Sequence, residues 1–199
     1  MIRPNILIDP LPESVEIGGE EIPIRTGFRT GILFETMVTS GALPEDETRA
    51  QALVLWYPEE SLLRIAELRK GAEALEAALR FFRLGRDEPK RGQGHASLAR
   101  RIYDFDEDAE RIYAAFLSQY RIDLTVAELH WWQFSALFAG LHESEEIVKI
   151  MGYRAAELGK IKNKEERRRM ARLQALYALP DNRTTAEKVA AAGAAFFVR

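Results

Sequence analysis

The 199-residue chain has no cysteine. Disulfides, thiolate metal sites and thiol nucleophiles are therefore excluded. No unbroken apolar run reaches the ~18 residues that a membrane span requires. Histidine is scarce as well. His95, His130 and His142 are the only three, and none are four residues apart, the spacing with which one helix face holds zinc. Neither sign of charge dominates: 28 Lys and Arg stand against 31 Asp and Glu, a formal net charge of -3. That balance gives no reason to expect nucleic-acid affinity from the chain as a whole. The opening Met1-Ile2-Arg3-Pro4 lacks the basic-then-apolar order of a secretory signal, so a cytosolic protein is expected. Also missing are the Gly-x-Ser-x-Gly elbow, a phosphate loop ending in Gly-Lys-Ser/Thr, and Gly-x-Gly-x-x-Gly.

What is present describes an ordinary globular protein, 47% hydrophobic and 30% charged, able to bury a sizeable core. Asn5-Ile6-Leu7-Ile8 has the composition of a short strand closed by Asp9-Pro10. Ser14 to Ile17 and Glu20 to Ile24 alternate on either side of Gly18-Gly19, which signals a hairpin. Pro23 makes the second arm an edge.

Helical spacing then takes over. Thr26 or Thr30 caps a first helix carrying Phe28, Ile32, Phe34 and Met37 and ending at Gly41. A second opens at Asp46 and stops at Pro58. A third runs from about Glu59 to Leu84, weakened at Gly71 and closed by Gly85. Arg86 to Gly94 carries no large apolar residue. Residues 86–97 read as a linker between an N-terminal unit, 1–85, of hairpin and helices and a C-terminal helical domain, 98–199.

In the second half, Asp106 or Asp108 starts a helix with Ile112, Phe116 and Tyr120. Asp123 and Thr125 are capping candidates for the next. Glu143 to Leu158 follows, then Lys164 to Leu179 capped by Asn163 and ended by Pro180, then the alanine-rich Thr185 to Val198. The fold class is mainly α, a multi-helix protein with a short N-terminal β-hairpin.

The organising stretch is Leu129 to Leu141. Trp131, Phe134, Phe138 and Leu141 share one helix face, and Trp132, Ala136 and Ala139 an adjoining one. A helix apolar nearly all round belongs inside a helical assembly. Trp132 and Phe134 are placed in the core. Trp131 and Phe138 are candidates for a groove edge, since tryptophan is enriched at binding hot spots. His130 reads as a hydrogen-bonded core histidine.

Asp104-x-Asp106-x-Asp108 imitates the start of a calcium loop, but Ala109 and Ala115 occupy the glycine and glutamate positions, so the pattern fails. No catalytic residue, metal site or cofactor is identified, and a protein that is not an enzyme is expected. One basic run stands out: Lys160, Lys162, Lys164, Arg167, Arg168, Arg169 and Arg172. Glu165 and Glu166 interrupt it, and Glu165 stands at the spacing of an ion pair with Arg168 or Arg169, so a solvated helix face is expected.

The series Tyr103-Asp104-Phe105-Asp106, Ile112-Tyr113-Ala114-Ala115-Phe116, Tyr120-Arg121-Ile122-Asp123-Leu124, Leu129-His130-Trp131-Trp132-Gln133-Phe134, Ile150-Met151-Gly152-Tyr153-Arg154 and Leu176-Tyr177-Ala178-Leu179 resembles a bacteriophage gene-product-fifteen family from siphophages and prophages of Gram-positive bacteria. Asn5 to Pro12 and Ile22-Pro23-Ile24 resemble it too, so the likeness covers nearly the whole chain. The resemblance implies a tail-cluster gene close ahead of the tape-measure gene, and from that position a tail assembly chaperone. Such a protein binds the tape-measure protein in the host bacterial cytoplasm, recruits tail-tube subunits and is absent from the mature virion. Self-association is expected from the apolar C-terminal Ala-Phe-Phe-Val; membrane or nucleic-acid partners are not. Trp131, Phe138, Tyr153, Arg154, Arg168 and Arg172 are the candidate partner-binding residues. A structural virion component, such as a tail-completion protein, is the alternative; a small RNA-binding regulator using the Lys160 to Arg172 face is the third reading.

Overall fold

The computed structural model describes residues 4–86 and 101–180. β1 (Ser14–Ile17) and β2 (Glu20–Pro23) pair antiparallel, with Val15 opposite Ile22 and Ile17 opposite Glu20. Gly18 and Gly19, at φ 63° and 83°, make the turn that two left-handed residues allow. Val15, Ile17 and Ile22 are buried while Glu16 and Glu21 face water, so the alternation places one face of the hairpin on the body. The expected strand at residues 5–8 is a turn instead. Ile8 and Asp9 N–H donate to the Asn5 carbonyl, Leu7 N–H to Asn5 Oδ1, and Asn5 N–H to Asp9 Oδ2. Short polar side chains satisfy the backbone locally where no neighbouring strand exists.

Eight helices follow among the described residues: α1 (Phe28–Ser40), α2 (Glu45–Trp56), α3 (Glu59–Leu68), α4 (Gly71–Phe82), α5 (Ala109–Tyr120), α6 (Trp131–Ala139), α7 (Glu146–Ala155) and α8 (Lys164–Leu176). The single helix expected over 59–84 is therefore two. Arg69 at φ 53° terminates α3, with Arg69 and Lys70 N–H closing on Ala66 and Ile65 carbonyls. That left-handed position is usually glycine, so an arginine there left no trace in the sequence pattern. α1 has no side-chain cap from either threonine. Its first amide, Phe28, donates instead to the Leu129 carbonyl at 2.9 Å, and Trp131 N–H returns to the Thr26 carbonyl at 2.6 Å. This short bridge ties the start of α1 to the start of α6. The terminal carbonyls of α2 are taken by one guanidinium: Arg25 reaches Val54, Leu55 and Tyr57 at 2.6, 3.1 and 2.5 Å.

α2 packs on α1 and α4, β1 on α4, α1 on α6, α5 on α7, and α7 on α8. One hydrophobic cluster runs through both halves, from Val15 and Ile17 to Phe134 and Ile147. Its spine is aromatic: Trp56, Phe34, Phe82, Trp131, Phe134 and Phe116 follow one another at centroid separations of 4.9–5.9 Å. Beyond Arg86 the expected linker lies outside the described residues, as does the alanine-rich 185–198. Among the described residues no helix is long and apolar enough to cross a membrane.

Candidate functional site

The site is built outward from the N-terminus of α6. Neither Asp123 nor Thr125 caps this helix. Asp123 Oδ1 accepts from both the amide and the hydroxyl of Thr125, a turn of its own. The cap is His130, whose Nδ1 accepts the Trp132 amide at 3.0 Å while Gln133 Oε1 accepts the His130 amide at 3.1 Å. This is a capping box with imidazole in the place usually held by a hydroxyl or carboxylate. Because Nδ1 accepts, the ring proton sits on Nε2, which donates to the Pro12 carbonyl at 3.1 Å. Burial pushes the His130 pKa below its ordinary value, against the opposing pull of the Pro12 bond and Glu13.

Capped in this way, α6 aims both indoles at the end of α4. Trp131 Nε1 donates to the Phe82 carbonyl at 2.8 Å, and Trp132 Nε1 to the Phe81 carbonyl at 2.9 Å. The last carbonyls of a helix lack intrahelical partners, so the tryptophan pair caps α4. Trp131 also stacks on the Phe82 ring at 5.2 Å, and Gly31 of α1 lets the indole lie directly against the α1 backbone.

On the far side of Trp131 the surface opens into a cleft of about 800 Å³. Phe82, Phe105, Trp131 and Phe138 supply its apolar lining, and Ser135, Ala136 and Ala139 of α6 complete one wall. Glu35, Tyr103, Arg83 and Arg86 give it polar edges, and the Pro4–Ile6 segment forms a further part of the boundary. Burial pushes the Glu35 carboxyl above the usual carboxylate range, while a hydrogen bond from the Tyr103 hydroxyl pulls the other way. The same burial, with Glu35 beside it, raises the Tyr103 hydroxyl. Small alanines at the mouth and aromatic rings behind them make a concave apolar surface. Its edges carry a carboxyl and guanidinium groups.

The six sequence candidates do not form one surface. Trp131 is 5% exposed, engaged with Phe82 as described. Phe138 is half-buried at the cleft, in contact with the Tyr103 and Phe105 rings at 5.1 and 5.8 Å. Tyr153 lies half-buried against Tyr177 at 6.0 Å. Arg154 is an internal clamp, 5% exposed. Its guanidinium meets Asp108 at 2.5 and 3.1 Å, and also reaches the Ile102 and Tyr177 carbonyls at 3.0 and 2.6 Å. Of the six, Arg168 and Arg172 alone are exposed, on α8. The ion pairs expected between Glu165 and Arg168 or Arg169 are not formed among the described residues. In that region the salt bridge is Lys160 to Glu157.

The acidic triplet is accounted for as well. Asp104 Oδ1 accepts the Asp106 and Glu107 amides, and Asp108 is held by Arg154 and Arg111. Among the described residues no group of three or more acidic or histidine side chains could hold a metal ion. The sequence reading missed Glu35, Tyr103, Phe105 and Arg83. One signal was available: Glu35 continues the buried Phe28, Gly31 stripe of α1 at helical spacing, where a carboxyl is out of place unless a partner or an opening receives it.

Fold and cleft together define a small, mainly α protein with an N-terminal hairpin, held by an aromatic spine and open on one side of its central tryptophan helix. The chain belongs to the Bacteriophage Gp15 protein family, whose family model matches residues 7–179 and so takes in the hairpin and all eight helices of the described residues. No curated protein and no solved structure matches it.

Proposed function

We propose that this phage protein is a tail assembly chaperone. In the host cytoplasm it binds the tape-measure protein, keeps it soluble, helps recruit tail-tube subunits to it and leaves before the virion is complete. The role is non-enzymatic and needs no cofactor. The observation that carries the reading is the aromatic cleft beside α6, apolar inside and charged at its edges. That is the form in which grooves receive the apolar face of an amphipathic helix, and a tape-measure protein offers long helices of that kind. Family membership makes the protein a phage product, and the cleft supplies the binding element that a chaperone requires.

The test is co-expression with the tape-measure protein of the same genome, then affinity capture and sizing. The expected result is a soluble complex in which many copies of the chaperone accompany each tape measure. A tape measure that stays insoluble, with nothing co-purifying, overturns the reading. Mass spectrometry of purified virions provides the second check, because a chaperone is expected to be missing and a tail-completion protein present.

A further inference from the structure

Charge is distributed unevenly along this chain. Residues 160–172 hold seven cationic and two acidic side chains, a net +5, which leaves the remainder of the chain at −8 against −3 for the whole. The cationic side chains Arg168, Arg169 and Arg172 are exposed on α8, and no ion pair among the described residues engages them. The apolar stripe of α8 is only partly covered, with Met170 and Leu173 half-buried. The one residue it buries is Gln174, which donates to the Ala156 carbonyl at 2.5 Å. Leu176 is left 71% exposed. Arg169, Arg172, Leu173 and Leu176 fall at the i, i+3, i+4, i+7 spacing of a single face, basic first and apolar after.

A stripe of opposite sign and the same order lies elsewhere in the molecule. Glu107, Glu110 and Ala114 line one open groove beside α5. Leu117, 39% exposed, continues the Glu110, Ala114 row one turn further on. This face is acidic first and apolar after. No ion pair among the described residues involves Glu107 or Glu110.

We propose that α8 of one copy packs parallel to α5 of a second copy. Arg169 and Arg172 then meet Glu107 and Glu110, while Leu173 and Leu176 cover Ala114 and Leu117. Charge order and apolar order agree only in the parallel arrangement, so the two stripes set the direction of packing, and the long arginine side chains span the difference between the seven residues from Arg169 to Leu176 and the ten from Glu107 to Leu117. The apolar half holds the contact, and the charged half sets orientation and speeds encounter. A nucleic-acid backbone fits the same helix less well, since it leaves Leu176 uncovered and faces Glu165 and Glu166. The contact uses different surfaces on the two copies, and neither surface includes the α6 cleft, so this inference stands or falls apart from the chaperone reading.

The experiment is sedimentation equilibrium of the full chain, nuclease-treated, at about 50 mM and about 500 mM salt, a range over which screening shortens sharply. Wild type is expected to exceed monomer mass at low salt and to lose roughly tenfold in association at high salt. Arg169→Glu with Arg172→Glu, and separately Glu107→Lys with Glu110→Lys, should each be monomeric at low salt with unchanged circular dichroism. Mixing the two reversed variants restores association, because the signs are again opposite across the contact. Wild type that is monomeric at low salt overturns the proposal. So do reversed variants that associate like wild type, or a mixture that stays monomeric.

Discussion

Two residues around α6 carry consequences out of proportion to their size. A Cβ built on Gly31 would lie 2.2 Å from the Trp131 ring. The indole cannot retreat, because it is stacked on Phe82 and hydrogen-bonded to the Phe82 carbonyl. Gly31→Ala adds about 1 kcal/mol of helix propensity to α1, but the overlap forces a backbone shift worth roughly 3 kcal/mol of destabilisation. Overlap wins. A lower urea midpoint is expected, partly recovered when Trp131→Phe is added, since the smaller ring makes room. A Gly31→Ala protein as stable as wild type would mean the indole lies elsewhere. His130 gives the second prediction. The folded protein holds a neutral imidazole, with its pKa below the ordinary 6.5. Unfolded chain therefore binds a proton that folded chain refuses, and stability rises with pH across that interval. The contribution is complete above the unfolded pKa and is lost as pH falls from there to the folded value, below which the slope flattens. His130→Asn keeps a capping acceptor that does not titrate, so denaturation midpoints followed from about pH 7 to about pH 5 should lose this slope. An unchanged slope would put the titrating group elsewhere.

At the scale of elements, a buried ion pair ties the second half together. Arg154 of α7 ties Asp108 at the start of α5 to the Ile102 carbonyl and to Tyr177 at the end of α8. Removing one partner strands the other charge in a buried site, so Arg154→Ala should cost about 3–5 kcal/mol in urea unfolding. The double variant with Asp108→Ala should cost less than the sum of the singles, the signature of a direct pair. Additive losses would refute the pairing. The sequence announced none of this, because an arginine within an amphipathic helix looks solvated until its carboxylate is placed 46 positions away along the chain. Elements set by local chemistry were legible: the Gly18-Gly19 hairpin, the Asn163 cap of α8, the apolar α6. Those set by tertiary context were not. The α3–α4 break falls on an arginine in a glycine conformation, and the α6 cap is a histidine fixed by Pro12 from the other half of the molecule. The cleft was half legible. Its aromatic floor follows from the spacing of Trp131 and Phe138, whereas its walls come from α1 and from residues 101–105, which no local pattern joins to α6.

For the molecule as a whole, the question is whether the cleft is a working surface or a gap left between packed helices. Phe82 and Trp131 belong to the aromatic spine that closes the core, so their presence at the opening does not by itself mark a working surface. The two possibilities separate at Ala136 and Ala139, which are exposed at the mouth of the cleft and bury little. Ala136→Glu with Ala139→Glu places two carboxylates over the apolar lining while leaving Trp131, Trp132 and their bonds to α4 untouched. Exposed helix positions of this kind change stability by only about 0.5 kcal/mol, so the melting temperature should stay near that of wild type. Capture of the co-expressed tape measure should be lost, because each partner side chain entering the cleft would desolvate a carboxylate without pairing it. A matched Ala136→Ser change, small and neutral, should preserve capture. Undiminished capture by the double glutamate variant at an unchanged melting temperature would place the partner on another face and remove the cleft from the mechanism.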